Sequence, residues 1–156
     1  GIIADRDTDI DAAKEKQIEG EFFYRIVEGI IAQDNPSGSA RIKSQLTGGM
    51  ANVVANQIVS EISRGIIGQV NRSISQIESA FGADKNLAML AAVRLSLYVN
   101  IFLPDLELRL GSLQRVKMEN ALQDLKESSE TGDSSKAIAA RSAIVEVIAA
   151  YENELI

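Results

Sequence analysis

From Ile42 to Ile77 an apolar side chain returns every third or fourth residue: Ile42, Leu46, Met50, Val53 or Val54, Ile58, Ile62, Ile66, Val70, Ile74 and Ile77. This spacing keeps one face of an α-helix apolar, whereas a half-buried strand needs alternation with a period of two. Serine, asparagine, glutamine and arginine fill the intervening positions, so the segment 39–80 reads as one long amphipathic helix or as two stacked pieces. Gly48–Gly49 and Gly65 or Gly68 are the expected places for a kink or a close helix contact, because a mid-helix glycine costs about 1 kcal/mol relative to alanine.

The same period recurs on either side, and three clusters of Gly or Pro with small polar residues mark the joints: DNPSGS at 34–39, FGADKN at 81–86 and ESSETGDSS at 127–135. A first helix is expected over 8–33, with Ile18, Phe22, Ile26 and Ile30 in one row and Phe23, Val27 and Ile31 in a second. Asp84 is the expected N-cap of a third segment that is apolar on nearly every face up to Pro104 and reads as the most buried helix. Arg94 near its middle and a run short of about 20 residues argue against a membrane span. Past Pro104 the helix is expected to resume with a kink, carrying Leu106, Leu110, Leu113, Ala121 and Leu125 on one side. A last helix over 134–155 places Ala137, Ile144, Ile148, Tyr151 and Leu155 together, after an N-cap chosen from Asp133, Ser134 and Ser135. At 156 residues one core suffices. The expected fold is all-α: a single domain, 1–156, forming an antiparallel up-down four-helix bundle with two long central helices, the third kinked at Pro104.

The chemistry open to this chain is narrow. It has no histidine and no cysteine, which removes the commonest general base, the thiolate nucleophile and the usual zinc, haem and iron–sulfur ligands. Net charge is −6, with no stripe of Lys and Arg, so neither nucleic acid nor an anionic membrane is an expected partner. GSARIKS at 38–44 lacks the second glycine of a phosphate-binding loop, and the NRS sequon at 71–73 falls within a helix.

Two features are candidate sites. Glu21 and Glu28 lie two helical turns apart with Arg25 between them, a pattern that a salt-bridge ladder explains and that a carboxylate metal site would share. Asp105 and Glu107, just after Pro104, are the candidates for a second contribution to such a site, which would suit a hard cation or ferric iron. Arg94, a guanidinium within an apolar helix, calls for a cross-helix bridge to Glu28, Glu61 or Glu119, or else for an anion inside the bundle. No nucleophile and base fall at catalytic spacing, and no cofactor is required.

One likeness adds to this reading. YRIVEGIIAQDNPSGSARIKSQL, 24–46, with a looser echo in LKESSETGDSSKAIAARSAIVEVIAAYE, 125–152, resembles extracytoplasmic helical domains of the imelysin and high-affinity iron-permease kind. The resemblance implies an exported bundle linked to metal uptake, although the Gly-x-His-x-x-Glu and Arg-Glu-x-x-Glu motifs of those families do not occur here. The opening GIIADRD, without methionine, is in keeping with a processed N-terminus, and hence with export or an organelle lumen, or with an artificially trimmed start that leaves the cytoplasm open. The function expected is that of a non-enzymatic interaction or accessory protein, binding a protein partner or itself. The alternative is a bundle that binds a metal ion or a small ligand.

Overall fold

The computed structural model describes residues 9–156; the opening stretch 1–8, on which the expectation of a processed N-terminus rests, lies outside them. Among the described residues all regular structure is helical. The elements are α1 (Ile10–Asp34), α2 (Pro36–Thr47), a single 3₁₀ turn (Met50–Asn52), α3 (Ala55–Ala80), α4 (Lys85–Leu110), α5 (Ser112–Thr131) and α6 (Ser134–Asn153). The four rods expected from periodicity are thus six, and each difference has a local cause.

DNPSGS is a joint only at its second residue. The Asn35 side chain accepts from the Gly38 backbone N–H, and Pro36 occupies the first helical turn, where its fixed φ and missing N–H cost nothing. What reads as a six-residue turn is therefore a helix N-terminus. Gly48–Gly49 does break the second segment, while α3 runs unbroken through Gly65 and Gly68. Pro104 starts no new helix: α4 continues through it to Leu110, and the break falls at Gly111, whose φ of 86° lies in the region that favours glycine. The bond that Pro104 forfeits belongs to the carbonyl of Asn100, an exposed residue. Asp84 and Asp133 cap α4 and α6 as expected, accepting from Leu87 and Lys136 backbone N–H groups.

The chain divides into two compact units, up to Gly65 together with Ile156, and Ile66–Leu155, so the division falls inside α3. In the first unit α1 packs on α2 over a core of Tyr24, Ile31, Ile42 and Leu46, flanked by Val27, Ile58 and Ile62. Gly65 meets Ile31 so closely that an added Cβ would lie 2.8 Å from its Cγ2 and 2.9 Å from its Cα. The absence of a side chain at Gly65 is what lets α3 approach α1. Gln17 donates to the carbonyls of Leu46 and Gly48 at 2.6 and 2.8 Å, satisfying acceptors that the end of α2 leaves without helical partners.

In the second unit α5 packs on α4 and α6 on α5, and α6 also touches α4. Joints as short as Gly111 and Gly132–Asp133 leave each helix no route except back along its predecessor. The Phe102 and Tyr151 rings stack with centroids 5.2 Å apart, and the Tyr151 hydroxyl donates to Asp105 Oδ2 at 2.6 Å, tying α4 to α6. The helix expected to be buried on nearly every side is buried on one. Ala88, Ala92, Leu95, Val99, Phe102 and Leu106 face the core, while Leu90, Leu97, Ile101 and Leu108 are exposed. At 26 residues α4 is long and apolar enough to cross a bilayer by length and composition, so its length does not argue against a span.

Gly65→Ala is expected to lower stability by about 1–3 kcal/mol through overpacking against Ile31. Gly29→Ala, where a Cβ would meet nothing within 4 Å, should raise it by about 0.5–1 kcal/mol. Denaturant titration of the two variants beside the parent checks both signs.

Candidate functional site

The most organised polar cluster lies in the first unit around Glu61, whose side chain is 4% exposed. Arg41 donates from Nε and Nη2 to Glu61 Oε1 at 2.8 and 2.5 Å, and Asn35 Nδ2 donates to Glu61 Oε2 at 2.8 Å and to the Glu61 carbonyl at 3.0 Å. Arg64 adds a longer ion pair at 3.7 Å. A Cβ on Gly38 would fall 2.4 Å from Glu61 Oε2, so this glycine makes room for the carboxylate. Burial pushes the Glu61 carboxyl up, but the hydrogen bonds from Asn35 and Arg41 and the two guanidinium charges outweigh it and hold the group below its ordinary value. One carboxylate therefore joins α1, the start of α2 and α3. With both oxygens engaged, its role is to hold the three helices in place.

The sequence-derived candidates are placed as follows. Glu21 and Glu28 do share one groove, of about 280 Å³, with Tyr24, Arg25 and Lys43. Arg25 takes Glu21 at 2.6 Å, whereas Glu28 pairs with Lys43 of α2 at 3.3 Å and not with Arg25. The ladder is half intrahelical and half a brace between helices. Asp105 accepts from Arg109 at 2.6 Å and from Tyr151, and Glu107 accepts from Arg115 at 2.6 Å. Glu21 and Glu28 belong to the first unit and Asp105 and Glu107 to the second. Each of the four carboxylates faces a basic side chain. Among the described residues no three acidic side chains converge as they would around a metal ion.

Arg94, expected to form a cross-helix bridge or to hold an anion inside the bundle, is exposed. A residue at that position projects away from the buried Ala92, Leu95 and Val99. The carboxylates expected to meet it are engaged elsewhere: Glu28 with Lys43, Glu61 with Arg41 and Arg64, and Glu119 with Arg115. The Arg115 guanidinium is in turn pushed up by its bonds to Glu107 and Glu119.

Two kinds of surface remain that sequence reasoning did not single out. A half-open apolar cavity of about 270 Å³ in the second unit is lined by Ile74, Ile77, Phe81, Leu125, Ala137 and Ile138, with the Glu78–Arg141 ion pair at its rim. Its two charged groups are matched to each other and Ser134 is its other polar residue, which leaves shape and apolarity as its main means of selecting a ligand. More extensive are the outward helix faces. On α1, Ile18, Phe22, Phe23, Ile26 and Ile30 are exposed, Phe22 to 69%, on the side opposite the buried Ala13, Tyr24 and Ile31. On α4 the exposed set is Leu87, Leu90, Val93, Leu97, Ile101 and Leu108, the last at 83%. Contiguous apolar surface of this kind marks sites of association more often than scattered apolar residues do. The signal for it was present in the two apolar rows of 8–33 and in the all-round apolarity of 85–103.

No protein-family model, no curated protein and no solved structure matches this chain.

Glu61→Gln is expected to cost about 3 kcal/mol at pH 7, since it removes the charge that two guanidinium groups surround. The folded-state value lies below the unfolded one near 4.5, so the contribution is complete above that pH and fades as pH falls through the lower folded-state value. Melting curves of parent and variant should converge as pH falls below 4.5. For the carboxylates, calcium, manganese or ferric iron is expected to leave the melting temperature unchanged, and a rise that grows with metal concentration would restore the metal site.

Proposed function

We propose that this protein is a non-enzymatic helical interaction protein that works by presenting apolar helix faces to macromolecular partners. The observation that carries the proposal is the pair of exposed apolar faces, one on α1 and one on α4, in a chain whose charged side chains are largely engaged in ion pairs. Among the described residues the buried side-chain polar atoms all have hydrogen-bond partners. Within this proposal the second unit is an up-and-down bundle of residues 66–80 with α4, α5 and α6. Supporting it are the Glu107–Arg115 pair across Gly111 and the Lys136 pairs to Asp124 and Glu127 across Gly132, as antiparallel neighbours require. A place outside the cytoplasm rests on the resemblance of 24–46 to exported helical domains.

The second reading, a small-ligand carrier, is favoured by the apolar cavity beside Phe81. It predicts saturable binding of a compact apolar probe that Ile77→Trp abolishes.

The interaction reading is tested by chemical crosslinking and sedimentation of the full chain, alone and in an extract of its source. Species heavier than the monomer are expected, and they should diminish in a Phe22→Glu, Leu97→Glu double variant that keeps its helical circular dichroism. A monomer that captures nothing in either setting defeats the proposal.

A further inference from the structure

The outer face of α4 has a regularity beyond mere apolarity. Leu90, Arg94, Leu97, Ile101, Pro104 and Leu108 are all exposed and follow one another at intervals of 4, 3, 4, 3 and 4 residues. The buried row Ala88, Ala92, Leu95, Val99, Phe102 and Leu106 has the same intervals. A row with that alternation is the seam of a left-handed helix pair. α4 therefore carries two such seams on opposite sides, one filled by its own unit and the other uncovered over 19 residues, about 27 Å of helix.

The uncovered seam is self-complementary in one direction only. Running antiparallel to a second copy about Val99, it sets Leu90 against Leu108, Leu97 against Ile101 and Arg94 against Pro104, and each contact occurs twice by symmetry. Running parallel it would set Arg94 against Arg94. In the antiparallel register the charge falls where it can be used. Pro104 has no N–H to offer the Asn100 carbonyl one turn back, and Asn100 is exposed, so the dimer would bring the Arg94 guanidinium of the second copy toward an acceptor that lacks this helical donor. In this register the half of α4 holding Lys85 and Arg94, net +2, lies along the half of the other copy holding Asp105, Glu107 and Arg109, net −1, whose two carboxylates also have partners in their own chain.

We propose that the outer face of α4 is a homodimer interface in which two copies of this chain pair antiparallel about Val99. This rests on the interaction reading above and names the partner of one of its two faces.

The test uses the full chain, whose lack of cysteine makes introduced thiols unambiguous. Sedimentation velocity over about 1–200 µM should show a monomer–dimer equilibrium. Leu97→Glu should weaken it on the order of a hundredfold by burying carboxylates at two symmetric contacts, with unchanged circular dichroism, while Phe22→Glu leaves it intact. Leu90→Cys and Leu108→Cys chains should form a disulfide dimer under mild oxidation when mixed, and not when either is oxidised alone. Crosslinking of either variant by itself overturns the antiparallel pairing. A dimer lost in Phe22→Glu but kept in Leu97→Glu overturns the α4 interface while the interaction reading stands. A chain that stays monomeric but binds phosphatidylglycerol vesicles through Leu97 assigns the face to a lipid surface and overturns the proposal. A monomer with no partner of any kind removes both readings.

Discussion

A helix joined to the next by one or two residues cannot travel before it turns, and this constraint on chain path underlies most of the packing within each unit. Asn35, Gly111 and Gly132–Asp133 are the joints. At each, a side-chain cap or a positive-φ glycine satisfies the helix ends where they meet, so the reversal needs no loop whose backbone polar groups must be solvated or buried. Folding back is then enforced by geometry, and the apolar rows have only to agree on which sides come together.

The two units reach that agreement by different means. In the first, a buried carboxylate does what apolar packing alone would leave loose: Glu61 draws Asn35 and Arg41 onto α3, and Gly38 and Gly65 clear space for the approach. Charge pairing of this kind specifies position more than it adds stability, because desolvation offsets much of the attraction. In the second unit specification is by shape. Small residues on the inner row of α4, Ala88, Ala91 and Ala92, give way to Phe102 stacked on Tyr151, and the polar tie of Tyr151 to Asp105 sets the register of α6 against α4.

The functional reading follows from what this economy leaves over. Carboxylates that looked available in the linear chain are matched to neighbours, while large apolar side chains that could have filled a core point outward on α1 and α4. Leaving Phe22, Phe23, Leu97 and Leu108 in water forgoes burial worth about 1.5–3 kcal/mol for each. These are the faces that the proposed interaction would cover.

Helicity was written in the sequence, because the 3.6-residue recurrence is a local property that needs no knowledge of neighbours. So were the caps at Asp84 and Asp133, the break at Gly48–Gly49 and the pairing of Glu21 with Arg25, all of which span four residues or fewer. Pro36 as a helix start and Gly111 as a helix stop were legible too, in Asn-Pro-Ser-Gly and Leu-Gly-Ser, but were masked by the stronger punctuation of a six-residue turn cluster and a mid-helix proline. Only tertiary structure decided which side of α4 is covered, that Glu28 reaches Lys43, and that Arg94 points outward instead of into a core. The reason is that periodicity assigns each side chain an angle about its helix axis, whereas burial and pairing depend on what lies at that angle across space, and a helix apolar on opposite sides carries no internal mark of which side comes first.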